Sequence, residues 1–480
     1  MKILYYIAAA GILISCSSKR VEPPKAFGPT PSAAQLQWHK MEMNAFVHFT
    51  LNTYTGKEWG FGDESPALLN PSSFDADQWV KTFKDTGFKG VILTCKHHDG
   101  FCLWPSAYTE HSVKNSPFQN GKGDIVKEVA EATRRHGLKF GVYLSPWDRN
   151  RADYGTPAYV EYYRNQLKEL FSNYGPIFEM WFDGANGGDG YYGGANEKRR
   201  IDGSTYYDWP TTLELVRQME PNVIFFSDAG PGVRWVGNER GVAGETNWNT
   251  ITPDTLFAGQ PGITDLLNSG HENGTAWIPA EVDVSIRPGW FYHAHEDSLV
   301  KSPEKLFDIY LTSVGRGSTL LLNVPPDQRG LLHENDVRSL QGFKQLLDSE
   351  FGKNLALNTK ATSSEHRGND DAYSPSNVTD DDEETYWATN DDSMTGAIEI
   401  DLLEAKTIKY IEIEEYIKLG QRIKSFTIES FDGNHWSKIG EGTTIGYKRI
   451  IKFDPLKASK IRFSVTDAKA CPLISSIKVF

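Results

Sequence analysis

Lys139-Phe140-Gly141-Val142-Tyr143-Leu144, then Tyr159 to Tyr174, then Ile177-Phe178-Glu179-Met180-Trp181-Phe182 decide the fold. Two short apolar runs flank a stretch of helical periodicity, and the second run ends against Asp183. A continuously apolar run signals a strand covered on both faces, as in a parallel sheet, and a helix-length stretch between two such runs is the crossover that parallel strands need. The same unit repeats outward. Ala45-Phe46-Val47-His48-Phe49 and Gly90-Val91-Ile92-Leu93-Thr94 read as strands around an Asp77 to Phe88 helix. Asp124 to Arg135 reads as a helix stopped at His136-Gly137, and Thr211 to Met219 as a helix before an Asn222 to Phe226 strand. Repetition over residues 33–345 predicts a (β/α)8 TIM barrel in preference to a large open α/β sheet. No glycine-rich phosphate loop follows the first strand, which disfavours a nucleotide-binding fold.

Beyond about residue 350 the period changes to two. Ala397 to Leu402, Ile408 to Ile413, Ser425 to Glu429 and Lys460 to Val465 alternate apolar and polar residues, predicting an all-β sandwich over residues 352–480. At the other end, Met1-Lys2, the apolar Ile3 to Ile14 and Ser15-Cys16 read as a signal peptide over residues 1–15, too short to span a bilayer. Cysteine after a small residue resembles a bacterial lipobox, which implies lipid on Cys16 and a membrane attachment through that anchor only. Residues 16–32 read as a Ser/Pro/Lys tether. The expectation is a bacterial lipoprotein, periplasmic or at the outer cell surface.

The 480 residues carry a net charge of −13 with no basic stripe, so the footprint of a nucleic-acid partner is missing. Thirteen Trp and 21 Tyr suit a site that stacks on sugar rings, or simply fill a large core. Cys95, Cys102 and Cys471 form no paired spacing, which argues against a disulfide framework.

In a parallel barrel, reactive groups lie at the carboxyl ends of strands. That rule brings His48, His97-His98-Asp99, Trp147-Asp148 and Asp183 to one rim. Glycoside hydrolysis needs two carboxyl groups; Asp183 is one, and Asp228, Glu239 and Glu245 are the candidates for the other. Taken alone, the adjacent histidines with His48 and Asp99 also form a plausible metal-ligand set.

Ala45 to Phe49, Lys57-Glu58-Trp59-Gly60, Thr94 to Phe101, Trp181-Phe182-Asp183-Gly184-Ala185, Arg287 to Tyr292 and Leu322-Asn323-Val324-Pro325-Pro326 occur in that order, and the series resembles glycoside hydrolase family 29, the α-L-fucosidases. The resemblance implies a retaining exo-enzyme with Asp183 as nucleophile and no required cofactor or metal. It implies His48, His97 and His98 as fucose-binding residues, with Glu58, Trp59, Tyr143, Trp181, Arg234 and Trp290 around the sugar. Val233 to Glu239 resembles the subfamily acting on branched α1,3- and α1,4-linked fucose, which makes Glu239 the acid/base with Glu245 as fallback. Glu281 and Trp248 are then plus-side candidates. The alternatives are a broad-specificity α-L-fucosidase and a catalytically silent sugar-binding lipoprotein. Asn354-Leu355-Ala356, Asn377 to Asp380 and Thr385-Tyr386-Trp387 resemble the discoidin, or carbohydrate-binding family 32, fold. Within it the run Asp380 to Glu384 is either solvated surface or a source of oxygen ligands for a structural Ca²⁺.

Overall fold

The computed structural model describes residues 21–480; the signal peptide and Cys16 lie outside the described residues. Eight strands close a barrel: β1 Met43–Val47, β2 Gly90–Lys96, β3 Lys139–Leu144, β4 Glu179–Trp181, β5 Ile224–Ser227, β6 Val233–Trp235, β7 Ala280–Ser285 and β8 Thr319–Asn323. Each pairs in parallel with its neighbours in chain order, and β8 closes on β1. Local chemistry fixes the helix starts. Asp75 accepts from Gln78 N at the head of Ala76–Asp85, Asp124 accepts from Lys127 N at the head of Ile125–His136, and Gly137 ends the latter in the left-handed region. The predicted helix between β3 and β4 is Pro157–Tyr174.

The alternation of strand and helix breaks once. Between β5 and β6 lies only Asp228-Ala229-Gly230-Pro231-Gly232, yet the two strands are parallel neighbours. The chain doubles back so closely that a Cβ on Gly232 would stand 2.7 Å from the Phe225 backbone. Glycine is required for that approach. No helix separates β5 from β6 along the chain, and Glu239 lies just beyond β6.

Inside the barrel, Phe46, Ile92, Tyr143, Trp181, Phe226, Val233 and Leu321 pack together. The N-terminal helix Ala33–His39 closes the end remote from the strand carboxyl termini, where Trp38 donates to Glu179 at 3.0 Å. Cys95, Cys102 and Cys471 are buried and free.

Residues 361–479 form a seven-stranded antiparallel sheet around its own apolar core. Two twenty-residue strands, Gly396–Glu415 and Arg449–Ala468, run through it and carry register shifts that bend them around that core. The sheet is docked on the barrel. Lys448 reaches Glu42, Glu412 and Glu414 at 2.7, 3.3 and 3.4 Å. Thr444 and Gln421 accept from the main-chain N–H groups of Asn247 and Asn249, in the segment that follows β6, each at 2.7 Å. The acidic run is divided among partners: Glu383 pairs with Lys40, Glu384 with Lys418, and Asp380 accepts from Asp382 N.

The expected tether departs from a free linker over its described part. Arg367 donates to Glu22 O at 2.7 Å, Arg422 to Lys25 O at 2.6 Å and Phe27 N to Leu419 O at 3.0 Å. Residues 21–27 are thus strapped along the second domain before Ser32 caps the first barrel helix.

Candidate active site

A cavity of about 240 Å³ opens at the carboxyl ends of the strands. Its walls are Phe46, His48, Trp59, His97, His98, Tyr143, Trp181, Asp183, Gly184, Ala185, Asp228, Trp235, Glu239, Asp283 and Trp290. Aromatic stacking shapes it: Trp181 lies flat on Phe226 at 3.9 Å between ring centroids, and His97 stacks on Tyr143 at 5.7 Å. Trp59, 51% exposed, stands edge-on to His98 at 5.4 Å and forms part of the mouth.

Asp183 sits two residues past β4, where its oxygens are met by donors. Tyr143 OH donates to Oδ2 at 2.9 Å and Ala185 N to Oδ1 at 2.7 Å, while His98 Nε2 lies 3.8 Å from Oδ2. Glu239 is held differently. Its donor among the described residues is Trp290 Nε1, at a long 3.4 Å, and partial desolvation followed by the charges of Asp183 and Glu58 raises its proton affinity against that bond. Across one pocket the two carboxyls are held differently, Asp183 by two short hydrogen bonds and Glu239 by a single long one.

Two further acids line the cavity. Asp228 accepts from Gly259 N at 2.8 Å, and burial pushes its carboxyl up to about 6. Asp283 accepts from Trp235 Nε1 at 2.8 Å; burial, with Glu239 adding to it, holds its carboxyl well above the usual range. Burial drives His48 down to about 3 and lowers His97 and His98 as well, so all three rings are neutral. Among the described residues no group of three or more His, Cys, Asp or Glu converges to hold a metal ion.

Several sequence expectations are corrected here. Arg234 does not face the sugar pocket. It is fully buried on the outer side of β6, donating to Leu267 O, Ile278 O, Asn247 Oδ1 and Trp248 O. Alternation along a strand explains this: with Val233 and Trp235 inside, Arg234 points out. Glu58 stands behind the wall, accepting from Trp290 N at 2.8 Å and meeting His293 Nε2 at 2.6 Å, so it sets the Trp290 loop without lining the cavity. Glu245, the fallback acid, is on the surface beside Arg316, its side chain 77% exposed. Of the plus-side candidates, Trp248 is buried under Lys469 and Glu281 is buried beneath Trp181, accepting from its Nε1 at 2.9 Å. Trp235, within the Val233 to Glu239 segment, and Asp283, outside every motif, also line the pocket. The period-two pattern Glu281-Val282-Asp283-Val284-Ser285 carries the signal for Asp283, because alternate residues of a barrel strand share a face.

A strand-end carboxyl, an opposing acid of raised proton affinity and aromatic walls on a parallel barrel are the parts of a glycoside hydrolase. The α-L-fucosidase family profile matches residues 27–350, and the F5/8 type C domain profile matches residues 359–477. Alpha-L-fucosidase 1 of Arabidopsis thaliana is 42% identical, over 97% of this chain and 90% of that protein. A putative α-L-fucosidase from Bacteroides thetaiotaomicron superposes with a TM-score of 0.87 at 40% identity, covering 95% of this chain and 99% of that one. A family 29 fucosidase from Ruminococcus gnavus, solved with fucose bound, gives 0.86 at 35% identity, with 96% of each chain covered. The chain belongs to the α-L-fucosidase family, glycoside hydrolase family 29, and is a glycoside hydrolase acting on α-L-fucosides.

Proposed function

We propose that this enzyme is an exo-acting, retaining α-L-fucosidase that releases α1,3- and α1,4-linked fucose from branched, Lewis-type glycans. One observation carries the mechanism: Asp183 and Glu239 line the same small pocket, Asp183 held by Tyr143 and Ala185 N and Glu239 with its proton affinity raised. Asp183 attacks the anomeric carbon as Glu239 gives its proton to the departing glycosidic oxygen. Glu239, now a carboxylate, takes a proton from water, whose oxygen displaces Asp183 and regenerates both groups. Tyr143 and Ala185 N hold the attacking carboxylate in line.

The linkage preference draws support from the mouth. Trp290 contacts Glu239, and Trp235 and Asp283 lie on the same side, so aromatic surface and a polar group await a second sugar beside the leaving oxygen. Contacts to that sugar lower the barrier at the reacting centre. The leader sequence, for its part, argues for a lipid on Cys16 and display at a bacterial membrane; metabolic labelling with a palmitate analogue, lost in Cys16→Ser, tests that part.

Two measurements test the enzymology. Proton NMR of early product should show the α-anomer of fucose; initial appearance of the β-anomer excludes retention. Fucose release at equal low substrate concentration should be fastest from a Lewis trisaccharide, ahead of 4-nitrophenyl fucoside and α1,2-linked fucosyllactose. Rapid cleavage of the latter two would assign the enzyme broad specificity.

A further inference from the structure

Ser145, Ser285 and Asn323 stand behind the pocket histidines, and their hydrogen bonds run in one direction only. We propose that these three residues fix the tautomers of His98 and His48 so that both rings present an unprotonated Nε2 to the sugar, and that the pocket therefore selects ligands whose hydroxyls donate at those two points. This deepens the fucosidase reading and rests on the cavity being the sugar site.

The first chain starts at a main-chain carbonyl. Ser145 Oγ lies 2.6 Å from Trp147 O, an atom that can only accept, so the single hydroxyl proton of Ser145 is spent there. His98 Nδ1 lies 2.7 Å from the same Oγ, and with that proton committed the ring nitrogen must be the donor. Tyr143, beside Ser145, sends its own proton to Asp183. A neutral His98 that carries its hydrogen on Nδ1 has a lone pair on Nε2. That lone pair lies 3.8 Å from Asp183 Oδ2. Two acceptors face each other at this point, and a hydroxyl of the ligand is the donor that fits between them.

The second chain is longer and ends on two carbonyls. Ser285 Oγ donates to Gly289 O at 2.7 Å and accepts from Asn323 Nδ2 at 2.9 Å. The second amide proton of Asn323 goes to Trp290 O at 2.8 Å. Both amide protons are thereby used, and Asn323 Oδ1 is the atom 2.8 Å from His48 Nδ1. An amide oxygen only accepts, so Nδ1 of His48 carries the hydrogen and Nε2 is left as an acceptor. Burial keeps both rings neutral, which preserves the lone pairs. His97, between the other two, has no such chain: among the described residues its buried Nδ1 meets no partner, and its tautomer is free to follow the ligand.

In this arrangement Ser145, Ser285 and Asn323 are positioning residues. Histidine-labelled (¹⁵N) full-length protein without ligand gives the direct test by NMR, with signals assigned from His48→Gln and His98→Gln spectra. Nδ1–H tautomers at both rings are expected; an Nε2–H tautomer at either overturns the proposal, whatever the turnover. Ser145→Ala should mix the tautomers of His98 and weaken fucose binding, measured by calorimetry, about tenfold, the scale of one unpaired buried group. Ser145→Thr keeps the hydroxyl and should restore both. Fucosides with single hydroxyls replaced by fluorine, which cannot donate, should lose binding to the wild type at the positions facing His48 and His98. The loss at His98 should shrink in Ser145→Ala; an unchanged fluorine penalty and unchanged affinity in that variant would also overturn the proposal. A protein that binds fucose with these tautomers but hydrolyses no fucoside would refute the catalytic reading and leave this one standing.

Discussion

The mouth of the barrel and the seam between the two domains both gather several carboxyl groups, and they surround them with different partners. At the seam, Lys448 sits among Glu42, Glu412 and Glu414. Burial would raise the Glu412 carboxyl, yet Lys448 and Lys478 outweigh it and draw Glu412 below its ordinary range; Glu414, sharing the same lysine, is pushed up to about 7. At the mouth no lysine or arginine among the described residues lines the cavity, and Asp228, Glu239 and Asp283 all shift upward. Buried acids with a cation hold domains together. At the mouth the upward shifts stand without a lining cation, and an acid of raised proton affinity facing a second carboxyl is what glycoside hydrolysis requires.

The sharpest way to break this contrast is at the anion. Asp183→Asn should lower turnover by about 10³-fold or more while the protein stays folded, because the isostere cannot form the glycosyl-enzyme. Near wild-type rates in that variant, checked with circular dichroism for folding, would remove Asp183 from the chemistry.

The acid side should respond less, and selectively. Glu239→Ala should lose about 10²–10⁴-fold on glycans with poor leaving groups and far less on aryl fucosides, with partial recovery on adding azide. In the wild type, kcat/KM on those glycans should fall as pH rises through the raised Glu239 titration, since its protonated form is the working one. A flat profile there, or azide rescue of Glu245→Ala in its place, would move the acid elsewhere.

At the seam the expected effect is on stability. Lys448→Met leaves three carboxyls without their shared cation and should cost about 3–5 kcal/mol, read as a lower Tm. Activity at 25 °C should stay within about twofold. A large kinetic effect with no change in Tm would erase the distinction between the two regions.

The smallest effect is a pH dependence of stability at Asp228. Its folded carboxyl is raised from 3.8 to about 6, so its contribution is intact below about pH 4 and is lost as pH rises through 6. The shift corresponds to at most about 3 kcal/mol. Asp228→Asn should therefore gain stability relative to the wild type between pH 4 and pH 7, by chemical denaturation. Parallel curves for the two proteins across that range would show that Asp228 holds no proton in the fold.

The barrel is largely legible in the amino-acid sequence, and its exceptions have physical causes. Strands β1 to β5 are apolar runs, and such runs announce themselves. Strand β6 does not, because it is three residues long with an arginine at its centre and no helix before it. Strand β7 is obscured by Glu281 and Asp283, which look solvent-facing in sequence and are buried in the barrel. Asp183 and the histidines are legible because strand ends are predictable from the strands themselves. Arg234 is misplaced by sequence for want of the β6 register: one residue along a strand exchanges inside for outside. The bonds that hold His48 and His98 join residues far apart in the chain, His48 with Asn323 and His98 with Ser145, and depend on ring closure that no local pattern encodes.

The missing helix between β5 and β6 has a consequence for modularity. The segment after β6 that carries Glu239 runs on to Asn247 and Asn249, whose main-chain groups are held by Thr444 and Gln421 of the second domain. The sheet domain thus braces the segment that follows the acid-bearing loop, and the barrel is not a cassette that can be excised near residue 352 and expected to keep its mouth in shape. A domain exchange that brought in a different sheet would bring a different buttress for the acid-bearing loop.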